Sequence, residues 1–488
     1  MAKALDQAEN ENRPSVTVVV DRHRDIVTEQ SDADPANFSG VWFGSMRWAK
    51  TRHRYLTIAN TGRVPASFSF VERPVVAPQS PGIAPKWINM KVNDEPAASS
   101  SHVTAAVTLE PGETASVELE VRIFDLHTMH DLNAGVQHLD DILLLRVEGG
   151  RDHFVPVRGH WLDNTLGRSL DKLTRLPEGG IRKLQRQKPG SGKYGNLLVP
   201  SASSSQVTTP MPEDQQSPVR FSAPPALLAL TTEIERLSTR VVAEWDMIHL
   251  QTAEGSDTLE GEIVRPPWKS HPAWPFDEEC WTERSTSQWE DALGEACNAL
   301  DQGESLGEES LQLDLPRMQR LYVLANLLLL FLTSMPDGII TADMWLQVDQ
   351  CLAESEKNKR KLSVDEQRIA VQEVVSQAPS HNVSFILITS MIERILQETT
   401  GPCTNAEQHN ESLLSPSKRL GTLRRMAGLG RVPAASMTAT GDAGRAMARI
   451  FANAIVRLPE GAGEKTMAGW KRRKLEVMEL FLRRDGEG

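Results

Sequence analysis

The spacing of apolar positions divides the chain into two regimes. From residue 15 to about 165, apolar and polar residues alternate in short runs. That is the period of a half-buried strand, whose side chains face opposite sides in turn. The run VELEVRI, Val117 to Ile123, is the clearest case, and the preceding LEPGE puts Pro111-Gly112 at the centre of a type II turn. RYLTIANTGRVPASFSF reads as two strands paired around Asn60-Thr61-Gly62, and DILLLRVEGGRDHFVPVRG as a further pair hinged at Gly149-Gly150. Several short strands with turn signals between them, and no helical periodicity, predict an antiparallel, immunoglobulin-like β-sandwich over residues 15–167.

Beyond Pro225 apolar residues recur at three- and four-residue spacing, which places them on one face of a helix. PALLALTTEIERLSTRVVAEWDMI begins the series, with proline near its start. Further helices are expected at Trp289–Leu300, Pro316–Thr333, Ser363–Val375, Val383–Glu398, Ala443–Val456 and Lys465–Arg483. In PRMQRLYVLANLLLLFL the residues Met318, Leu321, Leu324, Leu328 and Phe331 share a face, and the later turns are apolar on the other faces too. Its apolar run from about Leu321 to Leu332 is too short for a membrane span, which needs about 20 residues. This segment therefore predicts a helix buried at the centre of an all-α domain over 223–484.

Composition changes between the regimes. Residues 168–222 are rich in Gly, Ser and Pro and predict a flexible linker. Its first part, Arg168 to Lys193, holds eight basic residues against Asp171 and Glu178. The ordinary reading is a solvated tether; the sharper one is contact with an anionic membrane. A second polar stretch, 399–440, predicts a disordered insertion in the helical domain. Residues 1–14 form a polar tail without a signal-peptide core.

Charge and cysteine count narrow the function classes. A net charge of −12 over 488 residues argues against a nucleic-acid binder. The four cysteines, Cys280, Cys297, Cys351 and Cys403, form no CxxC pair, which suits a reducing, cytoplasmic compartment. Local motifs offer no catalytic foothold, no cofactor and no metal set. PGSGKYG at 189–195 lacks the first glycine of a P-loop, which would fall at Gln187, and has Tyr194 where Ser or Thr must hold magnesium. His127 and His130 in HTMH have no further ligands at zinc spacing and read as ordinary loop histidines.

The segment DDILLLRVEGGRDHFVPVRGHWLDNTLG, 140–167, resembles the ASH domain of type II inositol polyphosphate 5-phosphatases, the Lowe-syndrome phosphatase family. Asp140, Ile142, Leu143, Gly150, Asp152, Phe154, Gly159, Trp161, Leu162 and Gly167 follow the family pattern, and NTGRVPASFSF is similar to its Asn-x-Gly-x-Val-Pro segment. The start, KALDQAENENRPSVTV, resembles the joint leading out of the phosphatase domain, so that domain is expected upstream, and none of its magnesium or substrate motifs is found in the chain.

The resemblance implies a RhoGAP-like domain next. LLLLFLTSMPDGII is similar to its Leu-Lys-Leu-Phe-Leu-Arg-Glu-Leu-Pro-Glu-Pro-Leu stretch, with Pro336 matching and Asp337 keeping the acidic charge. The family's lysine falls on Leu329, its arginine on Thr333 and, in ARIFANAIVRLP, its functional asparagine on Ala454. Arg284 in CWTERSTSQW is a weak candidate for the arginine finger, without the glycines of that loop. The resemblance thus implies a non-catalytic module that binds Rab-type GTPases at the ASH domain and Rho-type GTPases at the helical domain. Adaptor peptides would be further partners, and the setting would be the cytoplasmic face of endosomal or Golgi membranes. An active Rho GTPase-activating protein is the alternative, and a finger would contribute about 10³–10⁵ in rate.

Overall fold

Two five-stranded sheets account for the alternating part of the chain. A computed structural model describes residues 12–21, 38–73, 81–97, 101–187, 222–255, 265–357, 362–400 and 434–482. It divides into two compact units, Met1–Asn164 with Arg182–Gln206, and Thr165–Ile181 with Val207–Gly488.

In the first unit one sheet runs β1 (Val16–Asp21), β3 (Arg52–Asn60), β8 (Thr114–Val121), β5 (Ile88–Val92), β6 (Glu95–Ala97). The other runs β2 (Val41–Met46), β10 (His153–Trp161), β9 (Asp140–Val147), β4 (Ala66–Val71), β7 (Val107–Leu109). Period-two burial supplies the core: Leu56, Ile58, Val117 and Leu119 from the first sheet, Phe68, Phe70, Leu143, Leu145 and Val157 from the second, all buried. Burying each such side chain contributes about 1.5–3 kcal/mol. The turn read at Pro111-Gly112 is present: Glu113 N–H donates to Glu110 O at 2.9 Å and Gly112 has φ +86°, which type II geometry reserves for glycine.

The sandwich departs from the sequence expectation in three places. β2 pairs parallel with β10, so the sheets are not wholly antiparallel. β3 and β4, read as one hairpin, lie in different sheets. Buried Asn60 makes the crossing: its Nδ2 donates to Val64 O and Leu109 O, and its Oδ1 accepts from Gly62 N–H. Finally, HTMH is not in a loop. Leu126–Ala134 forms a helix, α1, too short for periodicity to announce it and bounded by its caps, Asp125 and left-handed Gly135. On it, His127 lies 3.4 Å from Asp131.

The Asp125 cap carries a pH signature. Its carboxylate accepts from Thr128 N–H at 2.7 Å and Thr128 Oγ1 at 2.9 Å. Thr128 backbone and side-chain bonding together hold its pKa below the ordinary value. A lowered native pKa means stability present above the unfolded carboxylate range and lost as pH falls through the lowered value. Asp125→Ala should cost about 1 kcal/mol near neutrality. Thermal melts should show the difference between variant and parent vanishing in acid.

The second unit is helical. After α2 (Leu170–Thr174) and the first two residues of α3 (Gly180–Gln187), which continues into the first unit, come α4 (Pro225–Gly255), α5 (Pro267–Ser270), α6 (Ser287–Gln302), α7 (Arg317–Ser334), α8 (Ala342–Lys357), α9 (Val364–Ser376), α10 (Pro379–Thr400), α11 (Ala434–Ile455) and α12 (Glu464–Leu482). α7 is the buried helix that its pattern predicts: every residue from Arg320 to Leu328 is buried, as are Phe331 and Leu332. It packs on α4, α6 and α11. Among the described residues, no helix is long and apolar enough to cross a membrane. α8 is absent from the sequence expectation; buried Trp345, Val348 and Leu352 trace its inner face among mostly polar neighbours.

The linker expected at 168–222 does not begin at Arg168. Residues 165–181 belong to the helical unit. Asp301, 1% exposed, accepts from Thr165 N–H and Oγ1 at 2.7 and 3.0 Å. Gly167 N–H donates to Ser334 Oγ, and Leu170 N–H donates to the Asp337 carboxylate. Leu170, Leu173 and Ile181 are buried. Composition missed these long-range anchors. Residues 188–221, with the 189–195 motif, and 401–433, with Cys403, lie outside the described residues. The bounds expected for the insertion, 399–440, overlap described helix at both ends, since α10 runs through Thr400 and α11 starts at Ala434.

Candidate functional site

On β9 and β10 the residues that do not enter the core face outward, and there the alternation turns from polar to apolar. Phe154 is 62% exposed and Ile142 40% exposed. Pairing of Leu144 with Phe154, and of Ile142 with Pro156, sets these four side chains side by side on the outer face of the sheet. Ion pairs border them: Arg158 to Asp140 at 2.8 Å and Arg146 to Asp152 at 3.4 Å. Arg158 also lies over the Phe38 ring, 5.1 Å from its centroid. An exposed aromatic beside aliphatic side chains, with a charged rim, has the make-up of a protein-binding patch. Sequence analysis singled out Ile142 and Phe154 for their pattern only; their exposure was not readable from it.

In the helical unit the positions onto which the resemblance places the family's functional residues, lost here, and the candidate finger Arg284 are distributed as follows. Leu329 is half-buried and Thr333 exposed on α7. Thr333 Oγ1 donates back to Leu329 O at 2.7 Å, so its hydroxyl is committed to the helix. Ala454 is 1% exposed. Asn453 is exposed, but one residue of helix turns it about 100° away from that position. Arg284 is half-exposed, pairs with Glu278 and lies over Trp281, 5.5 Å from the ring centroid.

The segment before Arg284 is built onto the helices. Trp274 Nε1 donates to Tyr322 Oη of α7 at 3.1 Å, and burial pushes that phenol up to about 12. Phe276 meets Phe451 of α11 edge-on, with centroids 4.8 Å apart. Trp281 Nε1 donates to Pro275 O at 3.0 Å. Within this loop lies a donor cluster that the sequence reading missed: side-chain ligand atoms of His271, Asp277 and Cys280 all lie within 4.8 Å of one another. Burial, reinforced by Asp277 and Glu279, pushes the Cys280 thiol up to about 12. The signal was a spacing of six and three residues, which matches no familiar zinc motif.

The two-sheet arrangement coincides with a stretch that matches a known domain family. Residues 37–161 match the family model described as "Inositol polyphosphate 5-phosphatase OCRL-like, ASH domain". Among characterised proteins, the chain is similar to the type II inositol 1,4,5-trisphosphate 5-phosphatase of Mus musculus, 25% identical over 179 residues. The similarity covers 36% of this chain and 14% of that enzyme.

Proposed function

We propose that the chain is a non-catalytic interaction module of signal transduction and membrane traffic, whose ASH domain binds a Rab-type small GTPase through Phe154 and its neighbours. The observation that carries this reading is the 62% exposure of Phe154 on the outer face of a domain that matches the ASH family. The helical unit, read as RhoGAP-like, binds a Rho-type GTPase without accelerating hydrolysis. That reading rests on the uncharged Leu329, Thr333 and Ala454, which offer nothing to a developing phosphoryl charge. The setting is the cytoplasmic face of endosomal or Golgi membranes. Fewer of the basic residues from Arg168 to Lys193 are left for an anionic lipid surface, because Arg175 pairs with Asp171 and Arg182 is buried.

Calorimetry of the purified chain against a panel of Rab- and Rho-type GTPases tests both halves. Binding to at least one Rab-type protein is expected, with GTP turnover unchanged on addition of the chain. A panel without a binder ends the proposal. Acceleration of hydrolysis that disappears in Arg284→Ala would replace it with the GTPase-activating alternative.

A further inference from the structure

His271, Asp277 and Cys280 offer one nitrogen, one oxygen and one sulfur ligand. Two backbone turns bring them together: Trp274 N–H donates to His271 O at 3.0 Å, and Cys280 N–H donates to Asp277 O at 3.0 Å. The second opens the short 3₁₀ turn Glu278–Cys280, whose N-cap is Asp277. Asp277 Oδ1 accepts from Glu279 N–H at 3.1 Å, which fixes the carboxylate and leaves Oδ2 facing His271 Nδ1 at 3.4 Å. That ring nitrogen is shut off from solvent and makes no hydrogen bond, since Oδ2 lacks the alignment for one. Cys280 is 6% exposed, and the loop around it is clamped by Trp274 on Tyr322 and Phe276 on Phe451. A buried, unsatisfied imidazole nitrogen beside a carboxylate oxygen and a thiol calls for a partner that all three can share.

We propose that these three residues bind a divalent cation of the zinc class. The mixed donor set decides the class, because magnesium and calcium take oxygen ligands whereas thiolate and imidazole favour zinc. With bonds of about 2.0–2.3 Å, neighbouring ligand atoms of a tetrahedral zinc lie about 3.3–3.7 Å apart. From a separation of at most 4.8 Å the ligand atoms must close by up to about 1.5 Å, which rotation of the His271, Asp277 and Cys280 side chains would supply. On binding, the Cys280 S–H bond breaks, a sulfur–metal bond forms, and the proton leaves to solvent. Three protein ligands leave one coordination position for water. The metal would cross-link the loop that carries Trp274, Phe276 and Trp281, so its effect is on the order of that loop.

The full chain, reduced and freed of metal by a chelator, is titrated with cobalt(II). Expected are the visible bands of tetrahedral cobalt, a near-ultraviolet thiolate-to-cobalt band, one cobalt per chain, and displacement by zinc. Cys280→Ser should abolish the thiolate band, whereas Cys351→Ser should leave it. His271→Ala should weaken cobalt binding at least about 10- to 100-fold, the range seen when even an outer partner of a ligand is lost. A titration without a thiolate band overturns the proposal, as does a band that survives Cys280→Ser. Should Cys280→Ser fail to fold by circular dichroism, the partly exposed His271 decides: unchanged cobalt affinity in His271→Ala also overturns it.

Discussion

Phe154→Asp is expected to lower the affinity for a Rab-type GTPase at least about 30-fold, the loss typical of a central aromatic anchor. The fold should be untouched. Phe154 is 62% exposed, and its strand is held by pairing with β9 on one side and β2 on the other. A substitution at such a surface position changes stability by roughly 0.5 kcal/mol or less. In a complex the ring would be covered, so the variant loses an apolar contact and also buries a carboxylate two residues from Asp152. Val136→Asp, 74% exposed in the turn after α1, is the control and should bind as the parent does. Equal binding by parent and Phe154→Asp would move the interface to another face.

Arg457→Ala should destabilise the helical unit by about 3 kcal/mol, because it strips partners from several carbonyls at once. The guanidinium donates to Leu332 O at 2.7 Å, Thr333 O at 3.0 Å and Met335 O at 2.7 Å, all at the open end of α7, and to Ala454 O at 2.9 Å on α11. These are the carbonyls that a helix end leaves without intrahelical donors. Around them the chain is stitched further: Ile339 and Ile340 N–H both donate to Ile455 O, and Arg457 N–H donates to Ile340 O. Gly338 permits this approach, with φ +66° and space so tight that a Cβ would sit 2.8 Å from Ile455 O. Arg457→Lys should recover less than half of the loss, because an ammonium cannot span the fan of carbonyls that the planar fork reaches. Differential scanning calorimetry should show a fall of about 6–12 °C for the alanine variant. A shift under 2 °C would mean that water replaces the arginine at no cost.

Much of this architecture was legible in the order of residues. Alternation over 15–165 marked the strands, because a sheet with one buried face must repeat every two residues. The run from Leu321 to Leu332 marked the central helix for the opposite reason, since a helix surrounded by others has no face to leave polar. Pro111-Gly112 marked its turn through glycine's freedom at positive φ. What the sequence determined by itself is local: period, turn and the absence of familiar catalytic motifs.

Tertiary structure decided whatever depends on residues far apart in the chain. Period two does not say which strand sits beside which, so placing β3 and β4 in separate sheets fell to the buried amide of Asn60 reaching Leu109. Composition could not show that Thr165 and Leu170 anchor onto Asp301 and Asp337, because those hydrogen bonds span 136 and 167 residues. Phe154 and Leu143 read as equally apolar letters; only packing leaves one in solvent and the other in the core. The gathering of His271, Asp277 and Cys280 likewise follows from turns held in place by Tyr322 and Phe451. A site is a set of distances, and most of those distances are set by parts of the chain that a local pattern never compares.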